Sequence, residues 1–149
     1  MTQSPRSRVP EGTYFFTVCL ADRTSALLTE RAETLQAVIA EVRRTHGFVV
    51  DTFVILPDRI LSVWTMPGGD ADYMACWSAI RGIFEQSVSA EAGSIWQDRV
   101  KAFAIRSPAD LERHRRICRD APVDAGFVAE PSDWPHASYY VADRARHAA

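Results

Sequence analysis

The sequence predicts an α+β fold in which an antiparallel sheet carries helices on one face, with an extra helix near the C-terminus. Strand-like and helix-like segments follow in the order strand, helix, strand, strand, helix, strand, and then a further helix. Pro57-Asp58 separates two adjacent apolar segments and predicts a hairpin. The β-α-β-β-α-β order is that of ferredoxin-like (RRM-like) folds. The length of 149 residues suits one domain spanning 1–149.

The first predicted strand runs from Thr13 to Leu20, where the sequence is rich in aromatic and β-branched residues. A helix is then predicted from about Glu30 to His46. Its apolar residues recur at helical spacing and are Leu35, Val38, Ile39 and Val42. Thr29 suits the N-cap of this helix, and Gly47 suits the position that follows its last turn.

The hairpin and a second helix occupy the middle of the chain. Strands are predicted over Phe48–Leu56 and Arg59–Met66. Asp70 or Asp72 suits the cap of a helix that continues to about Ser89. The apolar face of that helix consists of Tyr73, Trp77, Ile80 and Phe84.

The last third of the chain holds one or two further strands and a third long helix. The strands are expected within Ile95–Ile105. The helix begins at Ser107-Pro108, since proline is favoured in a first turn. It is predicted to end near Asp120, because Pro122 should stop it.

The two ends of the chain are expected to lie outside the regular elements. Residues 1–11 are polar and proline-bearing and predict a flexible arm. Residues 123–149 predict an irregular C-terminal tail, in which Trp134-Pro135 packs against the domain.

Charge and cysteine content restrict the partners of the protein. The formal net charge of −2 gives no overall attraction to nucleic acid or to an anionic membrane, so DNA binding would need a local patch. Lys101 is the only lysine, and this arginine bias suits phosphate contacts but also follows from genomic base composition alone. Three widely spaced cysteines have no metal-site pattern and indicate reduced thiols in a cytoplasmic protein. No apolar run is long enough to span a membrane.

A basic stretch in the last predicted helix is the main candidate for DNA contact. On a helical wheel Arg115, Arg116 and Arg119 share one side, and Arg113 precedes them. The opposite side carries Leu111, His114 and Cys118. A solvated helix face and a phosphate-binding face both explain this pattern. Further candidates for DNA contact are Arg81, Arg99 and Arg106. Trp96 either stacks on a base or is buried.

Several segments, in order along almost the whole chain, match a known pattern. They include Gly12-Thr13-Tyr14-Phe15-Phe16-Thr17-Val18, Leu56-Pro57-Asp58, Val63-Trp64-Thr65-Met66-Pro67, Ile95-Trp96-Gln97 and Asp133-Trp134-Pro135. Together these segments resemble the REP-associated tyrosine transposases, a branch of the single-tyrosine HUH-type transposases. The resemblance implies the HUH transposase fold and an activity that breaks and rejoins single-stranded DNA near short palindromic hairpins.

The resemblance also implies a catalytic site, and this chain departs from it. In the family a His-x-His pair holds a divalent metal such as Mg²⁺ against the scissile phosphate, and a tyrosine attacks the phosphorus. An asparagine one turn later helps to hold the metal. The two histidine positions are here Arg59 and Leu61, the tyrosine position is Ile117, and the asparagine position is Ala121. Arginine has no lone pair for a metal, and the other three side chains offer neither a ligand nor a nucleophile.

We therefore expect a catalytically inactive, transposase-like protein that has no metal cofactor and binds single-stranded or hairpin DNA as a monomer or weak dimer. The DNA-binding residues would be Arg59, Arg99, Arg106, Arg113, Arg115, Arg116 and Arg119. Two alternatives stay open: an active transposase with a rewired site, and a protein-interaction module or decaying remnant that binds no nucleic acid. The remaining tyrosines and the histidines are interpreted as packing or surface residues: Tyr14, Tyr73, Tyr139, Tyr140, His46, His114, His136 and His147.

Overall fold

One antiparallel sheet of five strands organises the residues that the computed structural model describes, which are 9–69, 72–88 and 94–139. In chain order, the strands are β1 (Thr13–Cys19), β2 (Val49–Leu56), β3 (Arg59–Thr65), β4 (Lys101–Ala104) and β5 (Ala137–Ser138). Their spatial order is β4-β1-β3-β2-β5, and every neighbouring pair is antiparallel. The first four strands have the predicted ferredoxin-like arrangement, so the predicted fold class is confirmed.

Helices cover both faces of this sheet. The helices are α1 (Leu27–Glu30), α2 (Ala32–His46), α3 (Tyr73–Val88) and α4 (Pro108–Asp124). The first three share one hydrophobic core with the sheet, and α4 forms a second core on the opposite face. The extra C-terminal helix therefore closes the face that the β-α-β-β-α-β unit alone would leave open. Within the described ranges, no helix has the length and apolar character needed to cross a membrane.

Alternation along the central strands explains the two cores. Side chains two apart on a strand share a face. On β1 and β3, Phe16 and Trp64 point towards α2 and α3, where their rings lie 4.9 Å apart. Leu61 and Val63 belong to the core that packs against α4. The α4 face of β3 therefore begins at Arg59, two residues before Leu61.

The ends of the helices differ from the sequence-based expectation at two positions, Thr29 and Pro122, and agree with it at Gly47. The predicted N-cap Thr29 is wrong, because it lies inside α1 and its hydroxyl donates to the carbonyl oxygen of Ala26 at 3.1 Å. Gly47 ends α2 in the left-handed conformation, as predicted (φ 76°). Pro122 does not stop α4, which continues to Asp124. A proline this close to the C-terminus removes only one hydrogen bond, and the next turn still forms through the Ala125 amide and Ala121 carbonyl at 3.0 Å.

The C-terminal tail is more regular than expected. A 3-10 turn at Pro131–Asp133 leads to β5, which pairs with β2. Trp134 packs against the domain as predicted, and its indole Nε1 donates to the carbonyl oxygen of Ile55 at 2.9 Å. The predicted arm falls mostly outside the described residues, as do Asp70 and the part of the tail beyond residue 139.

Candidate nucleic-acid interface

A cleft between α4 and β3 brings together the four positions at which this chain departs from the family pattern. Arg59 and Leu61 reach it from β3, and Ile117 and Ala121 reach it from α4. The other lining residues are Arg113, Arg116, Asp120, Asp124 and Ala125, and the volume is about 400 Å³. We call this the α4–β3 cleft. The β3 pair and the α4 pair are at least 56 positions apart in sequence, and they meet at the place where the resemblance located a catalytic site.

Local structure explains why these four positions converge. Arg59 is the first residue of β3 after the Pro57-Asp58 turn, and Leu61 follows it on the same face. Ile117 and Ala121 are four residues apart on α4 and therefore lie one turn from each other. Leu61 and Ala121 are buried, whereas Ile117 is 40% exposed. The cleft is consequently apolar at its base and open towards solvent.

The charges around the cleft favour an anion. Three guanidinium groups line it, on Arg59, Arg113 and Arg116, against two carboxylates, on Asp120 and Asp124. In the described part of the chain no carboxylate pairs with Arg116. Since Arg116 is exposed and lines the cleft, its donors can reach a phosphate there.

Arg59 also has hydrogen-bond donors that no neighbouring carboxylate occupies. Its closest carboxylate is that of Asp58, at 3.9 Å. A second arginine already holds that carboxylate, since Arg23 Nε donates to Asp58 Oδ2 at 2.5 Å. The same hydrogen bond raises the pKa of Arg23. Arg59 therefore keeps most of its donors free to face the cleft, where its side chain is 31% exposed.

The two positions that match the family's metal ligands do not fit a divalent cation. The two positions that match the family's metal ligands carry a guanidinium and a hydrocarbon group, neither of which coordinates a metal. Within residues 9–69, 72–88 and 94–139, no three side chains of the His, Cys, Asp and Glu types cluster as metal ligands would. The residues that line the cleft also carry no hydroxyl, thiol or imidazole group.

The basic side of α4 divides into two parts. Arg113 and Arg116 face the cleft. Arg115 instead forms two hydrogen bonds to Asp51 on β2, at 2.9 and 2.6 Å, and its side chain is 23% exposed. Arg119 does not line the cleft and lies 3.6 Å from the Asp120 carboxylate. Arg115 thus fixes α4 to the sheet, which the helical wheel alone did not predict.

The other predicted candidates lie away from the cleft. Arg99 and Arg106 are exposed on either side of β4. Arg81 is a structural residue, since its Nη2 donates to the Gln97 carbonyl and its guanidinium lies 5.8 Å from the centre of the Trp96 ring. Trp96 is 4% exposed, so the buried alternative is confirmed for it.

The described tyrosines and histidines have packing contacts, except His46, which is exposed. Tyr14 packs on Tyr73 with ring centres 4.7 Å apart, on the α2–α3 side of the sheet. The hydroxyl of Tyr139 donates to the Pro131 carbonyl at 3.4 Å, and burial raises its pKa. His114 is 5% exposed, and its Nδ1 lies 2.8 Å from the Asp110 carbonyl oxygen, as the predicted structural role requires. His46 is in the last turn of α2, and the His136 carbonyl accepts from Ile55 N. Tyr140 and His147 lie outside the described residues.

Two residues beside the cleft were not among the predicted site residues. Phe103 on β4 is 48% exposed, and its ring stacks on that of His114. Lys101, two residues earlier, is exposed on the same face of the strand. The alternation of Lys101, Ala102, Phe103 and Ala104 was the available signal. It is too short to indicate which face of the sheet the strand presents to α4.

Comparison with known proteins gives close relatives over nearly the whole chain. A REP-associated tyrosine transposase of Escherichia coli K12 is 34% identical over 140 residues, which cover 94% of this chain and 84% of that protein. A solved REP-associated tyrosine transposase bound to a REP hairpin superposes with a TM-score of 0.80 at 35% identity, covering 92% of this chain and 82% of the other. A Deinococcus radiodurans protein, proposed to be a transposase, has a TM-score of 0.54 at 14% identity over 78% of this chain and 95% of its own; this likeness concerns the fold alone. No family model matches the chain.

Proposed function

The chain belongs to the family of REP-associated tyrosine transposases, and on that premise we propose that it binds single-stranded or hairpin DNA in the α4–β3 cleft without cleaving it. One observation carries the proposal. The four positions that would supply metal ligands, nucleophile and neighbouring amide converge in one cleft, yet they hold a guanidinium and three hydrocarbon side chains. The four positions thus still adjoin one another, while their side chains offer neither a metal ligand nor a nucleophile.

Phosphate binding in this cleft follows from the charge that Arg59 brings. In the family a divalent metal neutralises the phosphate oxygens at this place. A guanidinium supplies one positive charge and up to five N–H donors, and it pairs with a phosphate through two parallel hydrogen bonds. Arg116 adds a further charge on the opposite wall. Beside it, Arg113 pairs with Asp110 through Nε and Nη2, which leaves its Nη1 donors for a third phosphate contact. DNA is therefore held by ionic contacts that need no metal.

Cleavage has no nucleophile in this arrangement. Opening a phosphodiester by the family's route requires an oxygen that attacks phosphorus while the opposite P–O bond breaks. Ile117 carries no such atom, because its side chain is a hydrocarbon. A role in regulation, or as a domesticated remnant of a transposase, fits this chemistry. The DNA partner and the three buried thiols agree with a cytoplasmic location.

Fluorescence anisotropy with a labelled DNA hairpin tests the proposal. We expect binding that weakens about twentyfold between 50 and 200 mM salt, as about three phosphate contacts on a single strand require. Arg59→Ala and Arg116→Ala should each weaken binding and reduce the slope against log salt by about 0.7. Arg44→Ala is the matched control, because Arg44 is 71% exposed on α2 and pairs with Glu41. A 1:1 complex would support the expected monomer.

The same preparation separates the two alternatives. A cleaved product after incubation of single-stranded DNA with Mg²⁺ or Mn²⁺ would establish a rewired enzyme and end the proposal. Absence of any hairpin binding at 50 mM salt would favour an interaction module or a remnant. Equal weakening by Arg44→Ala and Arg116→Ala would show that DNA contacts the whole surface rather than the cleft.

A further inference from the structure

The sheet has an uncovered ledge beside the α4–β3 cleft. Helix α4 packs over β2 and β3, while β4 forms the outer edge of the sheet beyond β1. In register, Lys101 lies opposite Thr17, and Phe103 lies opposite Phe15, which packs in the α4 core. Lys101 and Phe103 therefore point to the same side of the sheet as α4. We call these two residues, with Thr17, the β4 ledge.

An aromatic stack leads from the core to this ledge. The Phe15 and His114 rings have centres 4.7 Å apart, and the Phe103 and His114 rings have centres 5.0 Å apart at an angle of 29°. His114 is fixed between them, because its Nδ1–H donates to the Asp110 carbonyl oxygen at 2.8 Å. Phe103 thus has a rigid ring on one side, while 48% of the residue is open to solvent.

Charge complementarity indicates what covers Phe103. The ledge adjoins the cleft, since Thr17 pairs with Leu61 on β3. The nearest flank of α4 presents Arg113 and Ile117, and Lys101 lies on the ledge itself. A flat exposed ring between cationic side chains fits a nucleobase on its phosphate backbone, because bases stack on aromatic rings while cations follow the phosphates. A second copy of the chain would bring the same positive charges together.

We propose that an unpaired nucleobase stacks on the open face of Phe103, with its phosphate between Lys101 and the α4–β3 cleft. This rests on the proposed function and adds to it a residue, Phe103, that would hold the unpaired part of that DNA. A blunt hairpin has unpaired bases only in its loop, so no unpaired strand at the foot of its stem reaches the ledge. Stacking on Phe103 would not depend on the identity of the base, because every base has a stacking face.

The test compares one hairpin with and without an unpaired flank that carries 2-aminopurine. For the flanked hairpin, Phe103→Ala should weaken binding about tenfold and abolish the change in 2-aminopurine fluorescence. Phe103→Trp should keep both. For the blunt hairpin neither substitution should change the affinity. Phe127→Ala is the matched control, since Phe127 is 47% exposed and also stacks on one ring, that of Trp134.

Several results would overturn the inference. If Phe103→Ala binds both hairpins as the unchanged protein does, the ledge takes no base, while the proposed function stands. If it weakens both hairpins equally, Phe103 supports the fold of the cleft rather than a base. If no DNA binds at all and Phe103→Ala dissociates a dimer, the ledge is a protein interface and both proposals fail.

Discussion

Single side chains decide what the α4–β3 cleft attracts. Arg59 presents a guanidinium charge to the cleft. This charge repels a divalent cation, which the family's histidines would bind at the same place, and it attracts a phosphate instead. Ile117 stands where the family has its tyrosine nucleophile. Its side chain does not fill the cleft, since the residue is 40% exposed. Under the proposed function, two residues on different elements thus turn a place for chemistry into a place for binding.

Cys118 gives a residue-scale prediction about pH. Burial raises the pKa of its thiol to about 12 from an ordinary value of 9.0. The unfolded chain loses this proton near pH 9 and the folded chain keeps it, so the free energy of unfolding should fall above pH 9, by about 1.4 kcal/mol per pH unit from this group. Urea unfolding at pH 8, 9 and 10 measures the slope.

Cys118→Ala isolates that contribution. The variant loses the titrating group, so its free energy of unfolding should fall less steeply above pH 9 than that of the unchanged protein. Iodoacetamide at pH 8 gives an independent measurement, because a buried neutral thiol should react only after unfolding. Rapid alkylation of Cys118 in the folded protein would contradict the burial on which the pH argument rests.

Among the elements, α4 owes its position to contacts that sequence patterns do not contain. The wheel of α4 correctly separated its buried side, with Leu111, His114 and Cys118, from its charged side. It could not separate Arg115 from Arg116. The difference arises at Asp51, which occupies an irregularity in the β2–β3 register and is 64 residues away from Arg115. Such a pair has no local signature, because nothing near either residue specifies its partner.

The short elements also have no local sequence signature that predicts them. Helices and strands of seven or more residues have a hydrophobic period that predicts them, whereas β5 contains two residues and forms only because β2 offers it an edge. Its neighbour Trp134 was predictable as a packing residue from its size, but the strand was not. Phe103 was missed for a related reason, since its stacking partner His114 comes from another element.

Replacing two glycines by alanine should change the free energy of unfolding in opposite directions, because one lies inside a helix and the other follows a helix. Gly82 lies inside α3, and an added Cβ would meet nothing within 4 Å, so Gly82→Ala should raise the free energy of unfolding by about 0.5–1 kcal/mol. Gly126 follows α4 with φ +82°, which an L-residue rarely adopts, so Gly126→Ala should lower it by about 1–2 kcal/mol. Urea denaturation of both variants measures these effects. A gain in stability from Gly126→Ala would contradict the left-handed turn.

For the whole molecule, the net charge of −2 and the proposed DNA partner are compatible because the charges are unevenly placed. Three arginines are paired with a carboxylate: Arg23 with Asp58, Arg113 with Asp110, and Arg115 with Asp51. In the described residues, Arg116 pairs with no carboxylate. Local excess of positive charge, rather than total charge, then determines where a polyanion binds. The fold class followed from element order alone, but this distribution required the positions of the side chains.

The persistence of the scaffold leads to a prediction for the whole molecule. If four side chains are what separates this chain from a working transposase, the combined variant Arg59→His, Leu61→His, Ile117→Tyr and Ala121→Asn should regain metal-dependent cleavage. The restored tyrosine oxygen would bond to phosphorus as a P–O bond of the strand breaks, leaving one DNA end on the protein and the other as a free hydroxyl. A covalent protein–DNA adduct on a denaturing gel, formed with Mn²⁺ and abolished by chelation, is the measurement.

The control for this variant keeps the tyrosine and leaves the metal positions unchanged. Ile117→Tyr alone should form no adduct, because Arg59 and Leu61 cannot hold the cation that polarises the phosphate. Both variants need a cooperative thermal transition, so that a missing adduct is not mistaken for unfolding. A folded fourfold variant that binds hairpin DNA but forms no adduct would mean that the rest of the cleft has also diverged. Strand β4, with Phe103 beside the cleft, would then be the first segment to exchange, since it adjoins the cleft through β1.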